Sequence, residues 1–213
     1  MAGARKEESV NSAHAPMARG RTRWRRFALV TVPAVVLAGG IVLGMADGAI
    51  AASFAVSGST FKVSADQLVG NGFVQYGGIA VDKAGKQHPV AVSGMRSATL
   101  TNLCQSVVAP GGISLIIRAG TEKDHPATAT NLLIDMSQLS GDASFTNIDI
   151  GADASMLKKG PDGAVGQPGG FGQQADSVTI NGLHQVAWST SAGTFNLNGL
   201  DLHVSLTGEQ CFP

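Results

Sequence analysis

The sequence predicts an all-β domain, either an antiparallel sandwich or a strongly curved sheet with bulged strands. Three observations carry that expectation. Apolar and polar residues alternate over short runs through 52–150 and 176–206, as in Phe61-Lys62-Val63 and Leu200-Asp201-Leu202-His203-Val204-Ser205-Leu206, which is the period of a strand. Thr, Val and Ile are frequent in the same runs, and such side chains suit a pleated surface. The alternation also changes phase at a recurring phrase that sets Asn between apolar residues, and Asn and Gly accept the left-handed backbone that bulges and corners require.

In chain order, residues 1–26 form a polar, basic segment ending in Arg19, Arg21, Arg23, Arg25 and Arg26, as expected of a cytoplasmic n-region. The apolar run Phe27 to Ala46 follows, then Asp47-Gly48 and the small residues Ala49 and Ala51. Residues 27–51 read as a signal peptide cleaved before Ala52. Twenty apolar residues also suffice to cross a hydrocarbon core of about 30 Å, so the uncleaved alternative is a signal anchor that contacts the membrane through Phe27–Ala46. Pro33, Gly39, Gly40 and Gly44 favour cleavage over a permanent helix, and the pair Arg25-Arg26 also admits a twin-arginine address.

Residues 52–213 are then one exported β-domain, extracellular or associated with the cell envelope. They carry 8 Lys+Arg and 12 Asp+Glu with no basic cluster, which excludes the counterion-displacing face of a nucleic-acid binder. Cys104 and Cys211 are the only cysteines and in an oxidising compartment pair with each other, closing a loop of about a hundred residues.

Within the domain, Phe54-Val56 and Phe61-Val63 open the strand pattern, and only Ala65 to Val69 is compatible with a helical turn. The phrases Leu100-Thr101-Asn102-Leu103, Phe145-Thr146-Asn147-Ile148, Ile180-Asn181-Gly182-Leu183 and Leu197-Asn198-Gly199-Leu200 each flip the apolar parity. Side chains alternate strictly along a strand, so each flip needs a bulge, corner or turn if both halves are to face one core. A β-solenoid is the alternative, with Asn at each corner; the irregular sequence around Ala164, midway between Asn147 and Asn181, argues against it. Residues 153–176, with Gly160, Pro161, Gly163, Gly166, Pro168, Gly169, Gly170 and Gly172, read as a long Gly/Pro loop. Its candidate binding residues are Phe171, Gln173 and Gln174.

No catalytic, cofactor-binding or metal-ligating set stands out. The Gly-x-Ser-x-Gly elbow is missing: Ser191 keeps only the following Gly193. His203 shares parity with Asp201 and Ser205 on an expected solvated face, and His184 shares parity with Val178, Ile180, Val186 and Trp188 on an expected core face. His88 and His125 each precede a proline, and no pair of histidines has close metal-site spacing. Asp142, Asp149 and Asp153 are carboxylates that calcium could use, but without an EF-hand or a calcium-binding nonapeptide they read as solvated side chains.

The strings Gly72-Phe73-Val74-Gln75-Tyr76, Leu100 to Val107, Phe171-Gly172-Gln173-Gln174-Ala175-Asp176 and Thr190-Ser191-Ala192-Gly193-Thr194-Phe195 resemble a family of secreted actinobacterial proteins, common in Streptomyces, whose members are often labelled cholesterol esterase. The resemblance covers most of 52–213 and brings no catalytic residue with it. The expected function is therefore an exported envelope or extracellular β-domain, non-catalytic, binding a lipid or another hydrophobic ligand, or a membrane or envelope protein. The alternative is a secreted ester hydrolase using Ser191 with His184 or His203.

Overall fold

A computed structural model describes residues 57–213; the signal features expected at Ala49, Ala51, Ala52 and Phe27–Ala46, and the alternation at Phe54-Val56, lie outside them. The chain forms β1 (Phe61–Val81), β2 (Gln87–Thr101), β3 (Leu103–Ala109), β4 (Ile113–Ala119), β5 (Ala127–Thr146), β6 (Asp149–Asp153), a 3-10 turn (Ala154–Met156), β7 (Phe171–Ser191), β8 (Thr194–Asn196) and β9 (Asp201–Ser205). All nine strands join one sheet in the order β6-β7-β5-β2-β1-β3-β4-β9, with β8 on β5 and a further pairing of β7 with β1. Every pairing is antiparallel, which realises the curved-sheet expectation and rules out the solenoid alternative.

The long strands explain the curvature. At 3.3 Å per residue, β1 or β7, each 21 residues, would span about 70 Å if straight, whereas a domain of this size has a radius of gyration of about 15 Å. They must bend, and they bend together along two rows. In the first row Asn131, Arg96, Gly72 and Asp176 lie side by side, and the pairings on either side of them, such as Asn71↔Ser97 and Phe73↔Met95, keep one unbroken register. Asn147 extends this row between β5 and β6, its amide donating to Asp176 Oδ2 at 2.6 Å. The second row contains Asn102, Asp66 and Gly182, with Asn102 donating to Asp66 Oδ1 at 3.2 Å and its backbone N–H to Gly120 O at 2.7 Å. Gly141 sits at the register shift where β5 meets this row.

At the rows the backbone turns left-handed, with φ of 67° at Gly72, 48° at Asn131, 51° at Asn147, 52° at Asn102 and 61° at Gly182. Alternation then skips a beat. The buried core steps by three from Ala65 to Leu68, Met95 to Ala98, Leu100 to Leu103, Ala129 to Leu132, Ala175 to Val178 and Ile180 to Leu183, so all segments keep their apolar face on one core. Phe145 and Ile148 make the same step across Asn147 at the core margin.

Four expectations are corrected. Ala65–Val69 is part of β1, where the row at Asp66 replaces the helical turn. His184 is exposed because the kink at Gly182 turns Leu183, Gln185 and Ala187 inward in its place. Leu200, Leu202, Val204 and Leu206 are exposed, since β9 lies at the sheet's end and no second layer covers that face among the described residues. The irregular segment is shorter than 153–176: Asp153 ends β6 and Phe171 to Asp176 belong to β7.

Cys104 and Cys211 form the expected disulfide, with Cα atoms 5.8 Å apart. It lays the C-terminal tail over the outer face of β3 and β1, where the Cys211 N–H donates to Ser106 Oγ, Lys62 Nζ donates to Phe212 O, and Phe212 stacks on His184 with ring centres 4.6 Å apart.

Two stability outcomes follow. Gly72→Ala puts an L-residue at φ 67° with its Cβ 2.6 Å from Lys159 O and 2.8 Å from Arg96 Cγ, so urea unfolding should show a loss above about 2 kcal/mol. Gly151→Ala, at φ 83° in open space, should lose only about 1 kcal/mol; equal losses would contradict the row's role. Replacing both cysteines by serine should cost about 2–5 kcal/mol in the same assay, and an unchanged midpoint would mean the bridge constrains nothing.

Candidate functional site

The segment 154–170 is clamped to the outer face of the sheet rather than hanging free. Leu157 and Ala164 are buried against Val74 and Tyr76, and Gly160 lies so close to Val74 that a Cβ there would overlap it. Arg96, a first-row residue, reaches out to donate from Nε to Gly160 O and from NH2 to Lys158 O, both at 2.8 Å. Gln174 Oε1 accepts from Lys158 N at 2.9 Å and Lys159 N at 3.2 Å, while its Nε2 donates to Asp149 Oδ2 at 3.1 Å. Lys159 Nζ lies 3.1 Å from Asp176 Oδ1 and 3.5 Å from Asp149 Oδ2 and donates to Asn147 O. Burial pulls the Lys159 ammonium down, but Asp176 and Asp149 outweigh it and hold its pKa above the usual range. Hydrogen bonds from Asn147 and then Lys159 hold the Asp176 carboxyl below its usual range.

The segment's ends are fixed by Asp153. Its Oδ1 accepts from Ser155 N at 2.9 Å and Ser155 Oγ at 2.7 Å, capping the 3-10 turn, and its Oδ2 accepts from Gly169 N at 2.9 Å. The Ser155 hydroxyl first, then the two backbone N–H groups, keep its pKa low.

The three residues read from sequence as a binding loop thus have different surroundings. Gln174 is buried and ties down Lys158 and Lys159, while Gln173 donates to Gln75 Oε1, which in turn bonds Ser93 through its own Nε2. Phe171, at the first position of β7, keeps 63% of its surface exposed. β6 pairs with β7 through Asp153↔Phe171 and Ile150↔Gln173, and Ile150 is 67% exposed. Met156, in the turn just after β6, is exposed as well. Phe171 and Ile150 therefore form an apolar display on the paired strands β6 and β7, with Met156 exposed in the turn that follows. Alternation alone marks Phe171 and Ile150 as strand residues, but not that they stay uncovered among the described residues.

The other candidates stay apart. His88 Nε2 lies 3.0 Å from Asp82 Oδ2 and its ring stacks on Trp188 at 3.8 Å; His203 Nδ1 lies 2.9 Å from Asp201 Oδ1; His184 is against Phe212. No serine hydroxyl makes a hydrogen bond to a histidine ring among the described residues, and Ser191 instead pairs with Leu133 in the ladder. Asp149 and Asp153 are occupied by the donors named above, and no group of three or more ligands suited to a metal ion is found among the described residues. The core holds apolar cavities of about 20 and 10 Å³, beside Leu68, Leu132 and Leu183 and beside Phe73 and Met95. That is room for about one water, far below what an acyl chain needs.

The fold and surface define a disulfide-bridged antiparallel β-domain with apolar residues displayed at the ends of its sheet. The chain belongs to the family of unknown function DUF6230, whose model matches residues 57–212. No curated protein and no solved structure matches it.

Asp153 yields a pH outcome with a definite sign. Its folded pKa lies below the unfolded value near 3.8, so its contribution is present above that value and is lost as pH falls through the lowered one. Amide-exchange protection in 154–170, measured against the intrinsic rate at each pH, should therefore fall below about pH 4, and Asp153→Asn should make it low already at neutral pH. Equal protection in the variant would remove Asp153 as the clamp.

Proposed function

We propose that this chain is an exported, non-catalytic envelope domain that docks on the surface of a lipid bilayer through Phe171, Ile150 and Met156. The observation that carries this reading is the exposure of Phe171 and Ile150 on the paired strands β6 and β7, which Gln174 also links through the Asp149 side chain. Exposed apolar side chains fixed on a rigid frame give up little conformational entropy on docking, and each buried one returns about 25 cal/mol per Å². A filled core supports surface docking over enclosure of a lipid within the sheet.

The bilayer is favoured as the occupant by the sequence upstream. The basic-then-apolar segment ending at Ala46 leaves at most about 40 Å of extended chain before residue 57, so an uncleaved form works beside the membrane and a cleaved form is released there. The disulfide accords with an oxidising compartment. The ester-hydrolase alternative needs a serine beside a histidine, and no observation favours it.

Co-sedimentation of the protein processed after Ala51 with phosphatidylcholine vesicles containing phosphatidylglycerol tests the reading. Phe171→Glu and Ile150→Glu should each weaken binding about tenfold or more without moving the unfolding midpoint, because both side chains are exposed. Binding that survives both substitutions, or no binding by the parent protein, would overturn it.

A further inference from the structure

The geometry points to a second docking surface, in which two copies of this chain pair antiparallel through β9 about a two-fold axis centred on His203. The observations are independent of those behind Phe171. β9 ends the sheet order and is paired on one side only, from Ser114↔Ser205 to Arg118↔Asp201, so its other backbone edge has no ladder partner among the described residues. An unpaired edge is a template for another strand unless charge, proline or a covering segment blunts it. Here the C-terminal tail serves the polar face instead: Glu209 lies 3.5 Å from Arg118 and 4.0 Å from His203, and Cys211 is held at Cys104. The apolar face, with Leu202 at 55% and Val204 at 59% exposure, is left open and continues onto Leu115 and Ile117 of β4.

The residue order selects a second copy as the occupant. Isologous pairing requires a surface that complements itself. Leu200-Asp201-Leu202-His203-Val204-Ser205-Leu206 reads the same in residue class in both directions from His203. Pairing centred there sets Leu200 against Leu206, Leu202 against Val204, and Asp201 against Ser205, so each apolar side chain meets an apolar one and neither carboxylate faces another. Shifting the centre to Val204 sets Leu200 against Gly208 and leaves it unmatched. The product is one sheet continuous across both copies.

The register makes the test specific. Sedimentation velocity on the protein processed after Ala51 should give a dimer mass at micromolar concentration. Leu202→Glu places a charge against the second copy's Val204 position and should raise the dimer dissociation constant at least tenfold. Adding Val204→Lys in the same chain puts Glu and Lys opposite each other twice across the axis and should restore the dimer. A parent protein that is monomeric at every concentration overturns the proposal, and vesicle binding lost in Leu202→Glu would then assign the stripe to lipid. A dimer unaffected by Leu202→Glu, or one not restored by the double substitution, equally overturns it. Should either variant fail to fold, His203→Cys decides: opposed residues in antiparallel strands have Cα atoms about 4.5–5.5 Å apart, within disulfide range. A covalent dimer under oxidation is then expected, and its absence contradicts the axis.

Discussion

The structure depends on two rows of kinked residues that cross neighbouring strands at the same level, with left-handed backbone at Asn131 and Gly72 in one and at Asn102 and Gly182 in the other. A long strand presents its side chains alternately to two faces, so a sheet that curves around one core would turn half of its apolar residues outward at each bend. The rows at Gly72 and Asn131, and at Asn102 and Gly182, remove one beat of the alternation in every strand they cross. Because neighbouring strands skip together, the ladders resume in register on the far side. A kink in one strand alone would leave its neighbours out of phase, which is why each row is a collective constraint.

The first row also builds the outer surface. Arg96 and Asp176 stand at bends where their side chains leave the core face, and they become the anchors for Gly160 O and for Lys159. Asn147 bonds Asp176 with its amide and accepts Lys159 with its carbonyl, so the bend, the clamp and the course of β6 are one network. Gln174 completes it from β7, two residues before Asp176. The apolar display at Phe171 and Ile150 rests on this network, and the same amide and ammonium groups that fix the backbone there occupy the nearby carboxylates.

The phase flips at Asn102, Asn147 and Gly182 could be read from sequence because apolar residues on both sides of an Asn or Asn-Gly change parity. The rows could not. Asp66, Arg96 and Asp176 have ordinary strand-compatible side chains, and their place in a row is set by long-range pairing partners that local pattern does not encode. Asn131 carries the same left-handed backbone without an obvious flanking phrase. The exposure of His184 is hidden for the same reason: counting parity back to Ile180 crosses the kink at Gly182. The stripe from Leu200 to Leu206 was legible as a strand face, but a sequence does not say which strand ends a sheet, so its exposure was not. The disulfide follows from a count of two cysteines, and the 154–170 segment is recognisable as irregular from glycine and proline but not as clamped, since its ties come from Arg96 in a distant strand and from the inward side chain of Gln174 in the strand that follows.

Solution NMR on Asn102, Asn131 and Asn147 tests the collective kink most directly. The account predicts strong intraresidue HN–Hα Overhauser contacts and helix-side Cα shifts at all three, each flanked by strand values, with cross-strand contacts continuing on both sides of each row. Uniform strand values through these asparagines would contradict it, because the core residues on either side of a row could not then share one face.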